Sequence, residues 1–242
     1  MTFENAYSSP VRAESYSKLE FPNTYYLAYR DLPEIISRHA GGKYAVDFGC
    51  GAGRSTRFLN NLGYQTRGVD ISSSMLNIAR QQDPSDNYVL VKDGDYGFLG
   101  EKHYDLVQSI FTFDNIPGHG NRIHILKGLS RLLKPEGKMI LLDSTPELYV
   151  NEWASFSTQR FPENPKARSG DSVWVIMNDV EDKRPVEDVF WTHEDYVDAF
   201  HRAGLMLEAQ YKPLGKTDEP YDWKMETDLA PWVIYVLKLH QA

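Results

Sequence analysis

A glycine-rich segment near residue 50 has the composition of a turn that binds a nucleotide-like cofactor. Three glycines alternate with small residues directly after the apolar run YAVDF at 44–48. Glycine allows a tight turn and lets a ligand approach the backbone closely. A helix that begins just after the turn presents unpaired N–H groups to a polar or anionic ligand. The residues of this segment that we expect at the cofactor site are Asp47, Gly49, Cys50, Gly51, Gly53 and Arg54.

The spacing of these glycines narrows the choice of cofactor. It is G-x-G-x-G, whereas a dinucleotide-binding turn has G-x-G-x-x-G, and Arg54 stands where the third glycine of that motif would be. A phosphate-binding G-x-x-x-x-G-K-[ST] segment does not occur. Asp47 can contact the ligand or hold the turn by bonding loop amides, and its residue type leaves both open. We interpret Cys50 as a small residue tolerated in a tight turn.

Strand-like and helix-like segments alternate from residue 44 to residue 143, which predicts an α/β fold with a parallel sheet and helices on both faces. After Asp143, two strand-like runs around a charged segment predict a β-hairpin, and Thr192 with Asp195 predicts a capped helix. The predicted strands are 44–48, 66–70, 88–91, 104–111, 138–143, 172–177, 185–191, 205–211 and 231–239, and the clearest helices are 54–62 and 121–133.

Polar residues follow these strands at the edge where the glycine turn also lies. Asp70 ends the second strand, about 20 residues after the glycines, where a carboxylate can accept hydrogen bonds from both hydroxyls of a ribose. The segments DGDY at 93–96 and SIF at 109–111 follow the third strand and end the fourth. Ligands of open α/β sheets bind at the carboxyl ends of the strands.

The order of these motifs resembles that of the class I S-adenosylmethionine (AdoMet)-dependent methyltransferases. The family's D-x-G-x-G-x-G pattern is matched at 47–53, and LLKPEGK at 132–138 resembles the stretch that leads into its fifth strand. The resemblance spans roughly 44–143, with weaker agreement out to Leu239. It implies a seven-stranded Rossmann-like sheet of order 3-2-1-4-5-7-6 with the last strand antiparallel. It also implies AdoMet as cofactor and S-adenosylhomocysteine (AdoHcy) as product.

The resemblance also implies roles for individual residues. Asp95 matches an acidic residue that accepts from the adenine amino group, and the segment 109–111 matches one that passes beneath the methionine part of AdoMet. Aromatic rings near the sulfonium can add cation–π attraction, and the candidates are Tyr25, Tyr26, Tyr29 and Phe111. The cofactor-contacting residues expected beyond the glycine segment are Asp70, Ile71, Met75, Gly94, Asp95, Tyr96, Ser109, Ile110, Phe111 and Tyr26.

One domain is expected, with residues 1–40 as an N-terminal arm or lid, 41–143 as the AdoMet-binding core, 144–191 as a substrate cover and 192–242 completing the sheet. Residues 1–20 are polar and predict a tail or a loosely held arm. An aromatic-rich cover suits an apolar or aromatic small molecule, but the same rings can simply hold the hairpin on the domain. They are Trp153, Phe156, Phe161, Trp174 and Trp191.

Catalysis of methyl transfer depends largely on alignment of the nucleophile with the methyl–sulfur bond. A hydroxyl or protonated amine acceptor can also need a base within reach. Asp114 and His119 are the candidates, because they follow the end of the fourth strand closely. No Ser–His–Asp order and no metal-ligand cluster stands out, so no metal is predicted.

The charge and composition of the chain indicate which partners and which cellular location to expect. A formal net charge of −8 argues against a nucleic acid, because proteins that bind one usually present a basic surface. The segment FTFDNIP at 111–117 also lacks the [DN]-P-P-[FYW] tetrapeptide of many base and glutamine methyltransferases. A single cysteine excludes an internal disulfide and favours a cytoplasmic location. No apolar run approaches the ~20 residues that span a bilayer, and the first 20 residues do not resemble a secretory signal.

Methyl transfer to a small molecule is therefore the favoured function. Methylation of a protein or nucleic acid, or binding of AdoMet or AdoHcy without methyl transfer, are the alternatives. The glycine turn and Asp70 predict cofactor binding in every case. The acceptor atom and the oligomeric state are left open by the residues.

Overall fold

A large central sheet organises the protein. The computed structural model describes residues 10–20, 22–85, 87–92 and 96–240. The strands in this part of the chain are β1 (Tyr44–Phe48), β2 (Gln65–Asp70), β3 (Tyr88–Leu90), β4 (Tyr104–Ile110), β5 (Leu133–Ser144), β6 (Phe156–Ser157), β7 (Ser172–Met177), β8 (Val186–Val189), β9 (Leu205–Tyr211) and β10 (Trp232–Leu239).

Seven of these strands form the central sheet, in the order β3-β2-β1-β4-β5-β10-β9. The pairs among β1 to β5 are parallel, and β10 is antiparallel to both β5 and β9. Counted within this sheet alone, the order is 3-2-1-4-5-7-6 with the last strand antiparallel, which confirms the predicted fold. From β1, the strands β2 and β3 are added toward one edge of the sheet, whereas β4 and β5 are added toward the other, so the strand order changes direction between β1 and β4. Such a reversal opens a crevice at the carboxyl ends of the strands.

Helices cover both faces of the sheet. They are α1 (Pro10–Ser17), α2 (Thr24–Arg30), α3 (Leu32–His39), α4 (Arg54–Asn61), α5 (Ser73–Gln82), α6 (His119–Ser130) and α7 (His193–Arg202). The Ser72 hydroxyl accepts from the Met75 N–H at the start of α5, and Thr192 and Asp195 form the predicted capping box of α7. The helix predicted at 121–133 is observed slightly earlier, because Leu133 already belongs to β5.

Apolar side chains alternate between the two faces, as the pleat of a strand requires. On β4, Leu106 and Ile110 pack in the core that α2, α3 and α4 cover. Val107, between them, faces the core that α6 and α7 cover. On β10, Ile234 packs in the core that α2, α3 and α4 cover, and Tyr235 packs in the core that α6 and α7 cover. This two-sided burial explains why the strands read as nearly continuous apolar runs.

The N-terminal segment differs from its prediction. Residues 10–17 form α1, and Ala13 is fully buried against Ala52 and Met75. Arg12, next to Ala13 in α1, pairs with Asp182 at 3.3 Å. The prediction of a loosely held arm is therefore wrong for these residues, since long-range contacts stabilise a helix that sequence periodicity does not reveal.

The segment after β5 carries a second, three-stranded sheet of order β6-β7-β8. β7 and β8 pair antiparallel, which confirms the predicted hairpin, although β8 is shorter than the predicted 185–191. Along β8, Glu187 is exposed and Asp188 is buried. Asp188 therefore faces the protein interior. None of the helices in the described ranges is long and apolar enough to cross a membrane.

Candidate active site

A cavity of about 450 Å³ lies at the carboxyl ends of β1, β2 and β4, where the strand order predicts a ligand crevice. This volume falls within the range of small-molecule and cofactor sites. The predicted residues on its wall are Gly49, Cys50, Gly51, Arg54, Asp70, Ile71, Met75, Tyr96, Ile110 and Phe111. Gly94 and Asp95 lie outside the described residues.

The glycine turn lies on this wall in a conformation that favours glycine. Gly49 and Gly51 have φ angles of 72° and 52°, in the left-handed region that other residues adopt at a cost. A Cβ added at Gly49 would lie 2.2 Å from the Thr112 hydroxyl oxygen, and one added at Gly51 would lie 3.0 Å from Met75 Cε. The missing side chains thus let the turn approach β4 and leave the cavity open.

Asp70 joins the glycine turn to the start of α5. Its Oδ2 accepts from the Gly51 N–H at 2.8 Å, and its Oδ1 accepts from the Ser72 N–H at 2.7 Å. The carboxyl is half-buried on the cavity wall. Burial raises the pKa of Asp70, while these backbone donors oppose the shift. Each carboxylate oxygen has a second lone pair that can accept from a ligand hydroxyl.

Asp47 has a structural position behind the turn. It is fully buried, and its Oδ2 accepts from the hydroxyls of Ser55 and Thr56, both at 2.6 Å. Burial raises its pKa to about 6, although these hydroxyls lower it. The side chain thereby ties β1 to the first turn of α4. This geometry favours a structural role for Asp47, in which it holds the turn, over direct contact with the ligand.

Three further predicted residues of the described chain do not line the cavity. Gly53 packs against Tyr88, whose ring would be 2.6–2.9 Å from an added Cβ. Ser109 is buried within β4. Tyr26 packs on Tyr221 instead, with ring centroids 4.9 Å apart. The aromatic residues that replace Tyr26 at the cavity are Tyr16 and Tyr29.

The residue directly after β4 has a strained backbone. Phe111 has a φ of 55°, which a bulky residue adopts only where its surroundings enforce it. Its N–H donates to the Leu142 carbonyl at 2.9 Å, and its ring lies 4.6 Å from that of Trp232 and 5.7 Å from that of Tyr25. These contacts aim the ring at the boundary between the large cavity and a smaller one.

The smaller cavity, of about 40 Å³, shares Tyr16, Phe111 and Asn115 with the larger one. Two carboxyls and a set of mostly apolar and aromatic side chains form the rest of its wall. Several of these side chains belong to β6, to the β7–β8 hairpin and to β10. These residues are Tyr25, Asp114, Ser144, Leu148, Phe156, Val175, Met177, Val186, Asp188 and Trp232.

The two carboxyls differ in their partners. Asp114 Oδ2 accepts from the Ser144 N–H at 3.0 Å and from its hydroxyl at 2.7 Å, and Asp114 Oδ1 accepts from the Tyr196 hydroxyl at 3.3 Å. Asp188 Oδ2 accepts from the Tyr149 hydroxyl at 3.3 Å. Burial raises the pKa of both carboxyls, and for Asp188 the neighbouring Asp114 raises it further.

A buried guanidinium lies on the far side of Asp114. Arg122 is almost fully buried and lies 4.4 Å from the centroid of the Trp191 ring. It donates to the Phe113 and Ile116 carbonyls and to the Tyr196 hydroxyl. Arg122 lowers the pKa of Asp114, against the larger effect of burial. Nothing in the sequence singles out Arg122, because its position within α6 is that of an ordinary helix residue.

His119, the second predicted base, lies elsewhere. It begins α6 at the surface, where its Nε2 is 2.7 Å from Asp198 Oδ2 and its ring packs on Trp191. It contributes to neither cavity wall. We therefore do not retain a catalytic role for His119. Within the described ranges, no group of three or more His, Cys, Asp or Glu side chains is arranged to hold a metal ion.

The cavity has the features that AdoMet requires. Asp70 offers a carboxylate for ribose hydroxyls, and Ile71, Met75 and Tyr96 offer apolar surface for a base. Arg54 brings a guanidinium to the same wall, 5.4 Å from the centroid of the Tyr16 ring. A guanidinium is suited to a carboxylate such as that of methionine. Gly51 lies on the same wall, where the absence of a side chain keeps the turn clear of Met75.

Comparison with known proteins agrees with this geometry. A family model described as "Methyltransferase domain" matches residues 46–141. N-demethylindolmycin N-methyltransferase of Streptomyces griseus is 27% identical over 203 residues, which cover 82% of this chain and 83% of that protein. Demethylmenaquinone methyltransferase of Tropheryma whipplei is 31% identical over 112 residues, which cover 45% of each chain.

Solved structures share the fold. An S-adenosylmethionine-dependent methyltransferase from Clostridium acetobutylicum has a TM-score of 0.62 at 15% identity and covers 97% of this chain and 96% of its own. A putative S-adenosylmethionine-dependent methyltransferase from Listeria monocytogenes has a TM-score of 0.65 at 16% identity, with 88% and 97% covered. The matched family model identifies residues 46–141 as a methyltransferase domain, and these structures show that the chain has the fold of S-adenosylmethionine-dependent methyltransferases.

Proposed function

We propose that this enzyme transfers the methyl group of AdoMet to a small-molecule acceptor whose reacting atom lies in the smaller cavity. The observation that carries the proposal is the common wall of the two cavities, formed by Tyr16, Phe111 and Asn115. Two ligands on either side of that wall would be close enough to react. The volume of the smaller cavity, about 40 Å³, suits a small group better than a polymer.

The residues of the large cavity would fix the direction of the cofactor. Asp70 would accept from the ribose hydroxyls, Met75 and Tyr96 would flank the adenine, and Arg54 would pair with the methionine carboxylate. By the family resemblance, Asp95 would accept from the adenine amino group. When bound, AdoMet supplies a methyl group on a sulfonium, a good leaving group. The chain's own task is then to hold the nucleophile in line with that methyl group, which is worth many powers of ten in rate.

Two further observations support a small acceptor. Relatives of the chain include an N-demethylindolmycin N-methyltransferase and a demethylmenaquinone methyltransferase. The formal net charge of −8 also disfavours a nucleic acid. We further propose one catalytic domain, as the sequence predicts, in which the 1–40 segment and the 144–191 segment cover the acceptor on the 41–143 core and residues 192–242 complete the sheet. The single free cysteine, Cys50, supports work in a reducing compartment.

The cofactor assignment is tested by Asp70→Asn, with the exposed Asp218→Asn as the matched control. Loss of a charged acceptor should weaken AdoHcy binding by about 1.5–3 kcal/mol, which is roughly 10- to 150-fold. Isothermal titration calorimetry measures this change, and circular dichroism checks that both variants fold. Equal AdoHcy affinity in the wild-type protein and a folded Asp70→Asn variant would contradict the assignment.

A further inference from the structure

The smaller cavity has an unused acceptor atom. The Asp188 side chain is 8% exposed and lines this cavity. Its Oδ2 accepts from Tyr149, but Oδ1 has no hydrogen-bond partner among the described residues. By contrast, both oxygens of Asp114 are occupied by Ser144 and Tyr196. Asp188 Oδ1 therefore remains able to accept a hydrogen bond from a ligand in this cavity.

The charges around Asp188 specify what that ligand should be. The described part of the chain contributes no Lys, Arg or His to the cavity wall. The groups that act on Asp188 are Asp114, Glu187 and Tyr149, and none of them is a cation. The buried Arg122 lies toward Asp114 and already donates to two carbonyls and the Tyr196 hydroxyl. A cationic ligand would therefore find an unneutralised carboxyl.

The aromatic residues of the smaller cavity also favour a cationic ligand. The rings of Tyr25, Phe156 and Trp232 pack together with centroids 5.1–5.9 Å apart, and those of Tyr16 and Phe111 complete the wall. Aromatic faces attract ammonium groups, most strongly where water is excluded. A hydroxyl or carbonyl acceptor would gain nothing comparable from these faces.

The size of the cavity sets the size of the group. A single water needs about 10–15 Å³ of such space, so about 40 Å³ accommodates a head group of a few non-hydrogen atoms. The reacting nitrogen of that head group would lie in the smaller cavity, beside the residues that both cavities share, which is where the proposed function requires it.

From this arrangement, and resting on the proposed function, we infer that the acceptor is a small aliphatic amine. It binds as an ammonium ion among the aromatic rings, with its nitrogen hydrogen-bonded to Asp188 Oδ1. Asp188 is the catalytic base, and Asp114 is a positioning residue that holds the end of β5 through Ser144. This assignment moves the base from Asp114, the sequence candidate, to a residue of the hairpin.

The reaction then balances without a further reactant. The ammonium N–H gives its proton to the Asp188 carboxylate, which frees the nitrogen lone pair. That lone pair forms the new N–C bond to the methyl carbon, while the C–S bond breaks and its electron pair stays on sulfur. The products are the methylated ammonium ion and AdoHcy, and Asp188 releases its proton to solvent. Burial and Asp114 raise the pKa of Asp188, which makes its carboxylate a stronger base than an exposed one.

Ethylammonium chloride is the probe, because it has the size and charge of the proposed head group, and ethanol is its neutral counterpart. Saturation-transfer NMR on the AdoHcy-saturated protein, at ionic strength matched with sodium chloride, measures binding. The wild-type protein should bind ethylammonium and not ethanol. Asp188→Asn should weaken ethylammonium binding about tenfold or more and leave AdoHcy affinity unchanged. Glu181→Gln, on an exposed residue of the same hairpin that does not act on Asp188, should bind ethylammonium like the wild type.

The results separate this inference from the proposed function. If AdoHcy does not bind, the proposed function fails first. If AdoHcy binds but ethanol binds as well as ethylammonium, or ethylammonium does not bind, the amine inference alone is overturned. The wild-type comparison decides this even where Asp188→Asn does not fold. Equal ethylammonium binding by a folded Asp188→Asn variant would remove Asp188 from its role.

Discussion

Gly49→Ala should destabilise the protein more than a Gly→Ala change of the same backbone type elsewhere. Gly49 has a φ of 72°, where a residue with a Cβ costs about 1–2 kcal/mol. The new Cβ would also lie 2.2, 2.4 and 2.8 Å from Oγ1, Cγ2 and Cβ of Thr112, and such overpacking costs about 1–3 kcal/mol. The total is about 2–5 kcal/mol, and in a chain of this size each kcal/mol lowers Tm by roughly 2–4 °C.

Gly63→Ala is the matched control, because Gly63 has a φ of 92° and nothing lies within 4 Å of its added Cβ. It should show the backbone cost alone, about 1–2 kcal/mol. Removing the Thr112 hydroxyl and methyl in Gly49→Ala/Thr112→Ala should recover part of the loss. Urea unfolding of the two single variants and the double variant gives the coupling energy. Equal losses at Gly49 and Gly63, or no coupling with Thr112, would refute the proposed close approach of the turn to β4.

Two further predictions concern buried charges. Because burial raises the folded pKa of Asp47 to about 6 from 3.8, the folded state binds more protons than the unfolded state between these values. The contribution of Asp47 to stability should then fall by up to about 3 kcal/mol as pH rises from 4 to 6. Asp47→Asn should flatten that part of the pH profile of the unfolding free energy, and an unchanged profile would argue against the raised pKa. Arg122→Met should cost about 3–5 kcal/mol in urea unfolding, because it leaves Asp114 without its buried cation. Arg131→Met, at an exposed position, should cost little, and equal losses in the two variants would contradict the role of Arg122 as the buried cation beside Asp114.

The sheet and its glycine turn were predictable because their signals are local. Parallel strands buried on both faces read as apolar runs, and the alternating glycines of 49–53 have few structural meanings. The cap of α7 was equally predictable from the sequence, since Thr192 and Asp195 have the three-residue spacing of a capping box. The strand order itself came from the family resemblance rather than from any feature of the residues.

The acceptor side of the site was not predictable, because it depends on distant contacts. Tyr16 reaches the cavities because Arg12 of α1 is held by Asp182, 170 residues later. Asp188 reads as one acidic residue of a charged hairpin, and its burial follows only from how β8 packs. Tyr26 and His119 fit the pattern of site residues. In the structure, however, Tyr26 lies in the short helix α2 and His119 at the start of α6, and neither lines a cavity.

The central claim, that the cavity at the glycine turn binds AdoMet, is tested most directly by calorimetric titration of the purified protein with AdoMet and with AdoHcy. The structure predicts that both bind to one site per chain, at low micromolar concentrations, which corresponds to roughly −7 to −8 kcal/mol. A folded protein that binds neither compound would contradict the assignment of the cavity, and with it the account of the acceptor site built beside it.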